Sequence, residues 1–209
     1  MRHFLDIKDF DRERLSSLLD TARDMKSGHY VGRPLDGLHI GMIFEKPSTR
    51  TRVSFEVGIS QLGGTPVFLA VSDLQLGRGE TVGDTAKVLS RYLDGLIIRA
   101  MKHETLTELV KHATVPVING LTDRSHPCQT LADLLTVIEH HGTLKNEVIV
   151  WFGDVNNVAN SWIEAASLFG FELRLVGPEA YHPSAELIAW VLEKGANIVI
   201  TKDAREAAR

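Results

Sequence analysis

The sequence predicts an α/β protein made of two doubly wound parallel-sheet domains, the second incomplete, and three observations lead there. Short apolar, β-leaning runs alternate with segments of helical periodicity along almost the whole chain. That rhythm breaks once, at His140-His141-Gly142-Thr143, and restarts at Val148-Ile149-Val150-Trp151-Phe152. Four strand-like runs precede the break and only three follow it. The break divides the chain into a first domain over 1–141 and a second, partial one over 142–209.

The elements follow in order. Leu15, Leu18, Leu19, Ala22 and Met25 recur at helical spacing, with capping candidates Asp9 and Asp11 before them and Gly28 after. A turn-rich stretch (Gly32, Pro34, Asp36, Gly37) leads into Leu38-His39-Ile40-Gly41-Met42-Ile43-Phe44, which reads as a buried strand. A helix over about 49–62 and a strand near 66–70 come next. They are followed by a helix near 81–92, a strand over 95–98, a helix near 104–111, a strand near 116–119 and a helix from about 128 to 140. After the break come the strand at Val148, a helix over 158–168, a strand over 171–176, a helix over 184–194 and a strand over 197–201. The chain ends in a helix-like Asp203-Ala204-Arg205-Glu206-Ala207-Ala208-Arg209. Three strands make a thin sheet with an apolar edge, so the strand count favours a piece of something longer over a small final domain.

Composition removes several function classes. With 23 Lys+Arg against 27 Asp+Glu, the formal net charge is −4, and no basic stripe of the kind a nucleic-acid binder shows is present. No apolar run approaches the ~18 residues that a membrane span requires. The opening MRHFLDIKDFDRERL mixes acids and bases without an apolar stretch and does not read as a signal peptide. A single cysteine, Cys128, excludes an internal disulfide and a cysteine-rich zinc site, and suits a reducing compartment. A soluble, cytoplasmic protein with no metal and no cofactor is expected.

Two clusters carry chemistry. Phe44-Glu45-Lys46-Pro47-Ser48-Thr49-Arg50-Thr51-Arg52 follows a strand and opens a helix, with Ser48 placed as N-cap. The first-turn N–H groups, the positive end of the helix dipole, the Arg50 guanidinium and the hydroxyls of Ser48, Thr49 and Thr51 together suit a phosphate group. An ordinary capped helix with solvated arginines is the competing reading. No G-x-x-x-x-G-K-[ST] occurs, and Gly77-Arg78-Gly79 has its next glycine at Gly83, one residue too late for a dinucleotide fingerprint. A small phosphorylated ligand is therefore favoured over ATP or NAD.

The second cluster, His126-Pro127-Cys128-Gln129, lies between a strand and a helix, and like the first it falls at the carboxyl side of a strand, where open α/β sheets bind ligands. His126 and Gln129 suit a carbonyl or phosphate oxygen, Pro127 fits a first helical turn, and Cys128 lacks any base to make it a nucleophile. Arg99 ends the apolar run Leu96-Ile97-Ile98, where it must be either exposed or held against an anion. Asn156 and Asn157, in Phe152-Gly153-Asp154-Val155-Asn156-Asn157, are placed either to cap the next helix or to bind a zwitterionic ligand. His140 and His141 are adjacent, share no helix face, and read as helix C-terminal charges rather than a metal pair.

Together F-E-K-P-S-T-R-T-R, H-P-C-Q and G-D-V-N-N resemble the signatures of the transcarbamoylases, with the G-D-x-N-N turn leaning towards the ornithine rather than the aspartate branch. The resemblance runs through the whole chain in order. It implies carbamoyl phosphate and L-ornithine as substrates and L-citrulline and phosphate as products. It implies that Ser48, Thr49, Arg50 and Thr51 hold the phosphate, that Arg99 also contacts it, and that His126, Pro127, Cys128 and Gln129 surround the carbamoyl group. Arg50, Arg99 and His126 would be the catalytic residues and Asn157 an ornithine contact. Gln75 matches a polar residue that reaches into a neighbouring subunit's site, which implies a homotrimer. The D-x-x-x-S-M-G and H-C-L-P motifs that complete the family's ornithine pocket are not in this sequence. That leaves two further expectations open: another amine acceptor (aspartate, putrescine or an acylated ornithine), or an inactive fragment that binds carbamoyl phosphate.

Overall fold

The computed structural model describes residues 3–70, 74 and 79–209. It contains two all-parallel sheets, each belonging to its own compact unit. Unit one comprises the residues up to Leu5 together with Gly28–Asp123, and unit two comprises Asp6–Ser27 together with Arg124–Arg209.

In the first unit β1 (His39–Phe44), β2 (Thr65–Ala70), β3 (Gly95–Arg99) and β4 (Val117–Leu121) form a sheet in the order β2-β1-β3-β4. The connecting helices are α2 (Thr49–Gln61), α3 (Val82–Leu89) and α4 (His103–His112). Alternation along the strands sorts the core into two layers, because successive side chains point to opposite faces. Ile40, Met42, Phe44 and Ile97 pack with Ile59 and Phe55 of α2. On the other face Ile43, Leu96 and Ile98 meet Ala86 of α3 and Leu106 and Leu109 of α4. Gly41 lies under the second layer, where a Cβ would sit 2.5 Å from Leu93 Cδ1 and 2.9 Å from Leu96 Cδ2, so the strand needs glycine there. The N-terminal segment extends the β4 edge, which the sequence did not announce. The Phe4 N–H donates to the Val117 carbonyl (2.8 Å), and the Asn119 N–H donates to the Phe4 carbonyl (2.8 Å).

The strand order fixes where a ligand belongs. From β1 the chain crosses to β2 on one side, whereas β3 leads to β4 on the other, so adjacent β1 and β3 form the topological switch point of the sheet. Their carboxyl ends, Phe44 and Arg99, are paired in register.

The second unit holds β5 (Val148–Phe152), β6 (Glu172–Val176) and β7 (Ile198–Thr201) in that order. Its helices are α1 (Arg12–Lys26), α5 (Pro127–His141), α6 (Asn157–Phe169), α7 (Ala185–Lys194) and the short α8 (Ala204–Ala207). Asp11 caps α1 by accepting from the Arg14 N–H (2.8 Å), and left-handed glycines at 142, 170 and 195 end α5, α6 and α7. The sequence boundary at 141/142 follows the order of βα units along the chain. Compactness instead groups α1 and α5 with the second sheet, where Leu15, Leu19 and Leu134 are buried. Phe171, Leu173 and Leu175 fill the core beneath Trp162 and Ile163 of α6, with the Trp162 and Phe171 rings edge to face at 5.8 Å. Among the described residues no helix is long and apolar enough to cross a membrane.

Candidate active site

The switch point of the first sheet is built from the segment between β1 and α2. Glu45, directly after β1, holds both sides of the end of β3. Its N–H donates to the Arg99 carbonyl (2.9 Å), and its carboxylate accepts from the Met101 N–H. The chain then turns through Pro47 to Ser48, which occupies the N-cap of α2 in an extended conformation (φ −156°, ψ 107°). Ser48 stands where the motif predicts, but its hydroxyl makes no capping hydrogen bond. The cap therefore does not satisfy the N–H groups at the start of α2, which have no partner within the helix. Exposed Thr49 and Arg50 sit at this turn.

Arg99 reaches the same turn from β3. Its Nη1 donates to Thr51 Oγ1 at 3.1 Å, while its buried Nε has no hydrogen-bond partner. Burial pushes the guanidinium below its ordinary pKa, though arginine stays charged at any physiological pH. A half-buried cation with an unmet donor is costly unless an anion completes it. Beside the first turn of α2 it places charge and a fork geometry of the kind that suits an oxyanion. Arg99 and Thr51 are thus joined directly, at the turn that Ser48, Thr49 and Arg50 also occupy.

Arg52, the other arginine of the motif, is engaged elsewhere. Its guanidinium stacks over the Phe68 ring, 3.6 Å from the centroid, and pairs with Glu56 at 3.1 Å. The two side chains line an open groove of about 710 Å³ beside the cradle, together with Phe44, Pro47, Ser48 and Thr49. The arginines left at the turn itself are Arg50, which is exposed, and Arg99, which is bonded to Thr51.

The second cluster lies in the other compact unit, so His126, Pro127, Cys128, Gln129 and Asn157 are grouped with the second sheet. Pro127 opens α5 as a first-turn proline. The His126 N–H donates to Ser161 Oγ (2.9 Å). Burial pushes the Cys128 thiol up to about 12, which keeps it protonated. Gln129 donates through Nε2 to Asp133 Oδ1 (2.8 Å), one turn along its own helix. The Asn156/Asn157 alternative resolves for one of the pair. Asn156 is the N-cap of α6, accepting from the N–H groups of Val158 (3.0 Å) and Ala159 (3.3 Å), and Asn157 is the first helical residue. His140 and His141 close α5, where His141 pairs with Glu147 (3.0 Å). Among the described residues no cluster of three or more His, Cys, Asp or Glu side chains suits a metal ion. Gln75 lies outside the described residues.

Two contributors escaped the sequence reading. Glu45 stands inside the first motif but received no role, because nothing in spacing reveals that its carboxylate bridges to a backbone N–H 56 residues away. Ser161 sits mid-helix, where serine carries no signal at all.

An open parallel sheet with an oxyanion cradle at its switch point, followed by a second parallel α/β unit carrying its own polar cluster, defines an α/β protein that binds a small phosphate-bearing ligand. Residues 2–139 match the family model for the aspartate/ornithine carbamoyltransferase carbamoyl-P binding domain, and residues 145–209 match that for the Asp/Orn binding domain. The chain belongs to the aspartate/ornithine carbamoyltransferase family. It is 49% identical to an ornithine carbamoyltransferase of Bradyrhizobium diazoefficiens and 50% identical to one of Pelobacter propionicus, spanning 69% of the length of each. Among solved structures it resembles ornithine carbamoyltransferase from Pyrococcus furiosus, with TM-score 0.94 and 44% identity over 100% of this chain and 69% of that one. The anabolic enzyme from Campylobacter jejuni gives 0.92 and 40% over 99% and 69%.

Proposed function

We propose that this protein transfers the carbamoyl group of carbamoyl phosphate to the δ-amine of L-ornithine, giving L-citrulline and phosphate in arginine biosynthesis. The observation that carries the reading is the Arg99 guanidinium, bonded to Thr51 and otherwise unmet at Nε, beside the start of α2. Relatives near 49% identity along the whole chain, named ornithine carbamoyltransferase, support ornithine as the acceptor.

In this reading Ser48, Thr49, Arg50, Thr51 and Arg99 hold the phosphate, while His126 and Gln129, flanked by Pro127 and Cys128, take the carbamoyl group. The neutral δ-amine nitrogen attacks the carbonyl carbon and a C–N bond forms. The C–O bond to phosphorus-bound oxygen then breaks, its electron pair leaves with phosphate, and the amine releases a proton to the departing phosphate or to water. Charge that develops on the carbonyl oxygen meets Arg50, Arg99, Thr51 and His126, and the loss of one such donor typically costs ~10²–10³ in rate. No covalent enzyme intermediate is needed, in keeping with a thiol held protonated at Cys128. Asn157 at the head of α6 is the ornithine contact. Gln75 is contributed to a neighbouring subunit's site in a homotrimer, for which exposed Val53 and Val57 on α2 offer apolar surface. The lone cysteine fits a cytoplasmic setting.

Arg50→Ala tests the assignment. Citrulline formation is expected to fall by at least ~10²-fold with an unchanged circular dichroism spectrum, and turnover retained at the wild-type level sinks the proposal. Competition among ornithine, aspartate and putrescine in the same assay fixes the acceptor.

A further inference from the structure

The head of α6 is fastened to the loop before α5 by two consecutive residues. The His126 N–H donates to Ser161 Oγ at 2.9 Å, and Asn160 Nδ2 donates to the Arg124 carbonyl at 2.9 Å. Ser161 is fully buried, and its hydroxyl also lies 3.4 Å from the Asn157 carbonyl, one turn back in the same helix. One buried hydroxyl thus touches the backbone of both His126 and Asn157. From its other side the loop is held by Asp6, whose buried carboxylate accepts from Ser125 Oγ and lies 3.8 Å from Arg124 Nε. The His126 backbone has φ −136° and ψ 67°, outside both helix and strand, so packing and hydrogen bonds rather than regular structure must fix where its ring points.

We infer that Ser161, supported by Asn160, is a positioning residue that sets the carbamoyl-binding loop at His126 in fixed relation to the ornithine-binding end of α6. The inference rests on the carbamoyl-phosphate reading above. Ser161 touches no substrate. It acts by removing freedom from a backbone whose side chain must sit within hydrogen-bond reach of a carbonyl oxygen, and small displacements of such a donor are expensive. The brace lies within the second unit, whereas Ser48, Thr49, Arg50, Thr51 and Arg99 belong to the first.

The test is the ratio of carbamoyl-phosphate to inorganic-phosphate affinity, measured calorimetrically on wild type, Ser161→Ala and Asn160→Asp. Asn160 is only half-buried, so its variant is expected to disturb packing less and to carry the test where the serine variant does not fold. The expected result is a loss of about tenfold in carbamoyl-phosphate affinity for Ser161→Ala, with a smaller loss for Asn160→Asp and phosphate affinity within about twofold of wild type, the scale of one lost hydrogen bond. Equal losses for both ligands, or no change in the ratio in either variant, overturn the inference. Wild-type protein that does not distinguish the two ligands overturns the carbamoyl-phosphate reading itself, and the inference with it.

Discussion

The second sheet is the more apolar in sequence, yet its outer strands are less buried than the central strands of the first. In the first, β1 (His-Ile-Gly-Met-Ile-Phe) is buried at every position after His39, and β3 is buried up to Arg99. In the second, β5 (Val-Ile-Val-Trp-Phe) is at best half-buried throughout, with Val148 44% and Phe152 55% exposed. Val199 and Ile200 of β7 are 40% and 38% exposed, and only β6, between them, alternates into a closed core. A strand's burial is thus set by its neighbours and by helices on both faces rather than by its own hydrophobicity. The first unit gains a fixed frame at its switch point from this burial. Its arginine is held at the end of a strand that packing fixes from both sides.

A cavity made under β3 breaks the comparison most strongly. Leu96 is 1% exposed and packs against α3 and α4, so Leu96→Ala is expected to cost about 3–5 kcal/mol in denaturant unfolding. Val199→Ala on half-exposed β7 should stay within about 1 kcal/mol, and comparable losses at the two sites would erase the distinction drawn here.

Next in size is a titration inside the second unit. Glu164 of α6 is 3% exposed, and burial together with neighbouring Asp6 pushes its carboxyl up to about 7, against the pull of Lys8 at 3.3 Å. An acid with a raised native pKa holds its proton better folded than unfolded. Stability should therefore fall as pH rises from about 4.5 to about 7 and level off above, by up to about 3 kcal/mol. Glu164→Gln should flatten that part of the profile, and an unchanged slope in the variant would remove Glu164 as its source.

The smallest effect sharpens the role of the paired asparagines. Asn156→Ala removes the α6 cap and is expected to cost about 1 kcal/mol of stability. Asn157→Ala should leave stability nearly unchanged while raising the ornithine KM. The reverse pattern would exchange the structural and binding roles assigned to the two residues.

Much of the first unit was legible because its signals are local. The run Ile40 to Phe44, the turn at Pro47-Ser48 and the hydroxyl-rich helix start lie within a dozen residues, and their chemistry follows from helix-end electrostatics whatever the rest of the chain does. Arg99 was legible for a related reason, as a charge ending an apolar run must be accounted for. Arg52 was not, because its stacking on Phe68 depends on β2 lying beside β1. Nor was the assignment of α1 and α5 to the second unit, which long-range packing of Leu15, Leu19 and Leu134 decides.

By itself the sequence determined the βα alternation, the two parallel sheets, the donor-rich helix start at Ser48, Thr49, Arg50 and Thr51, and the family to which the three motifs point. Periodicity and capping act over a few residues, and that is why they can be read directly. Only the tertiary structure decided the β2-β1-β3-β4 order that makes β1 and β3 a switch point, the hold of Glu45 on the two sides of Arg99's strand end, and the brace from Ser161 to His126. Each of these joins residues tens of positions apart, and such contacts exist only once packing has chosen which distant segments become neighbours.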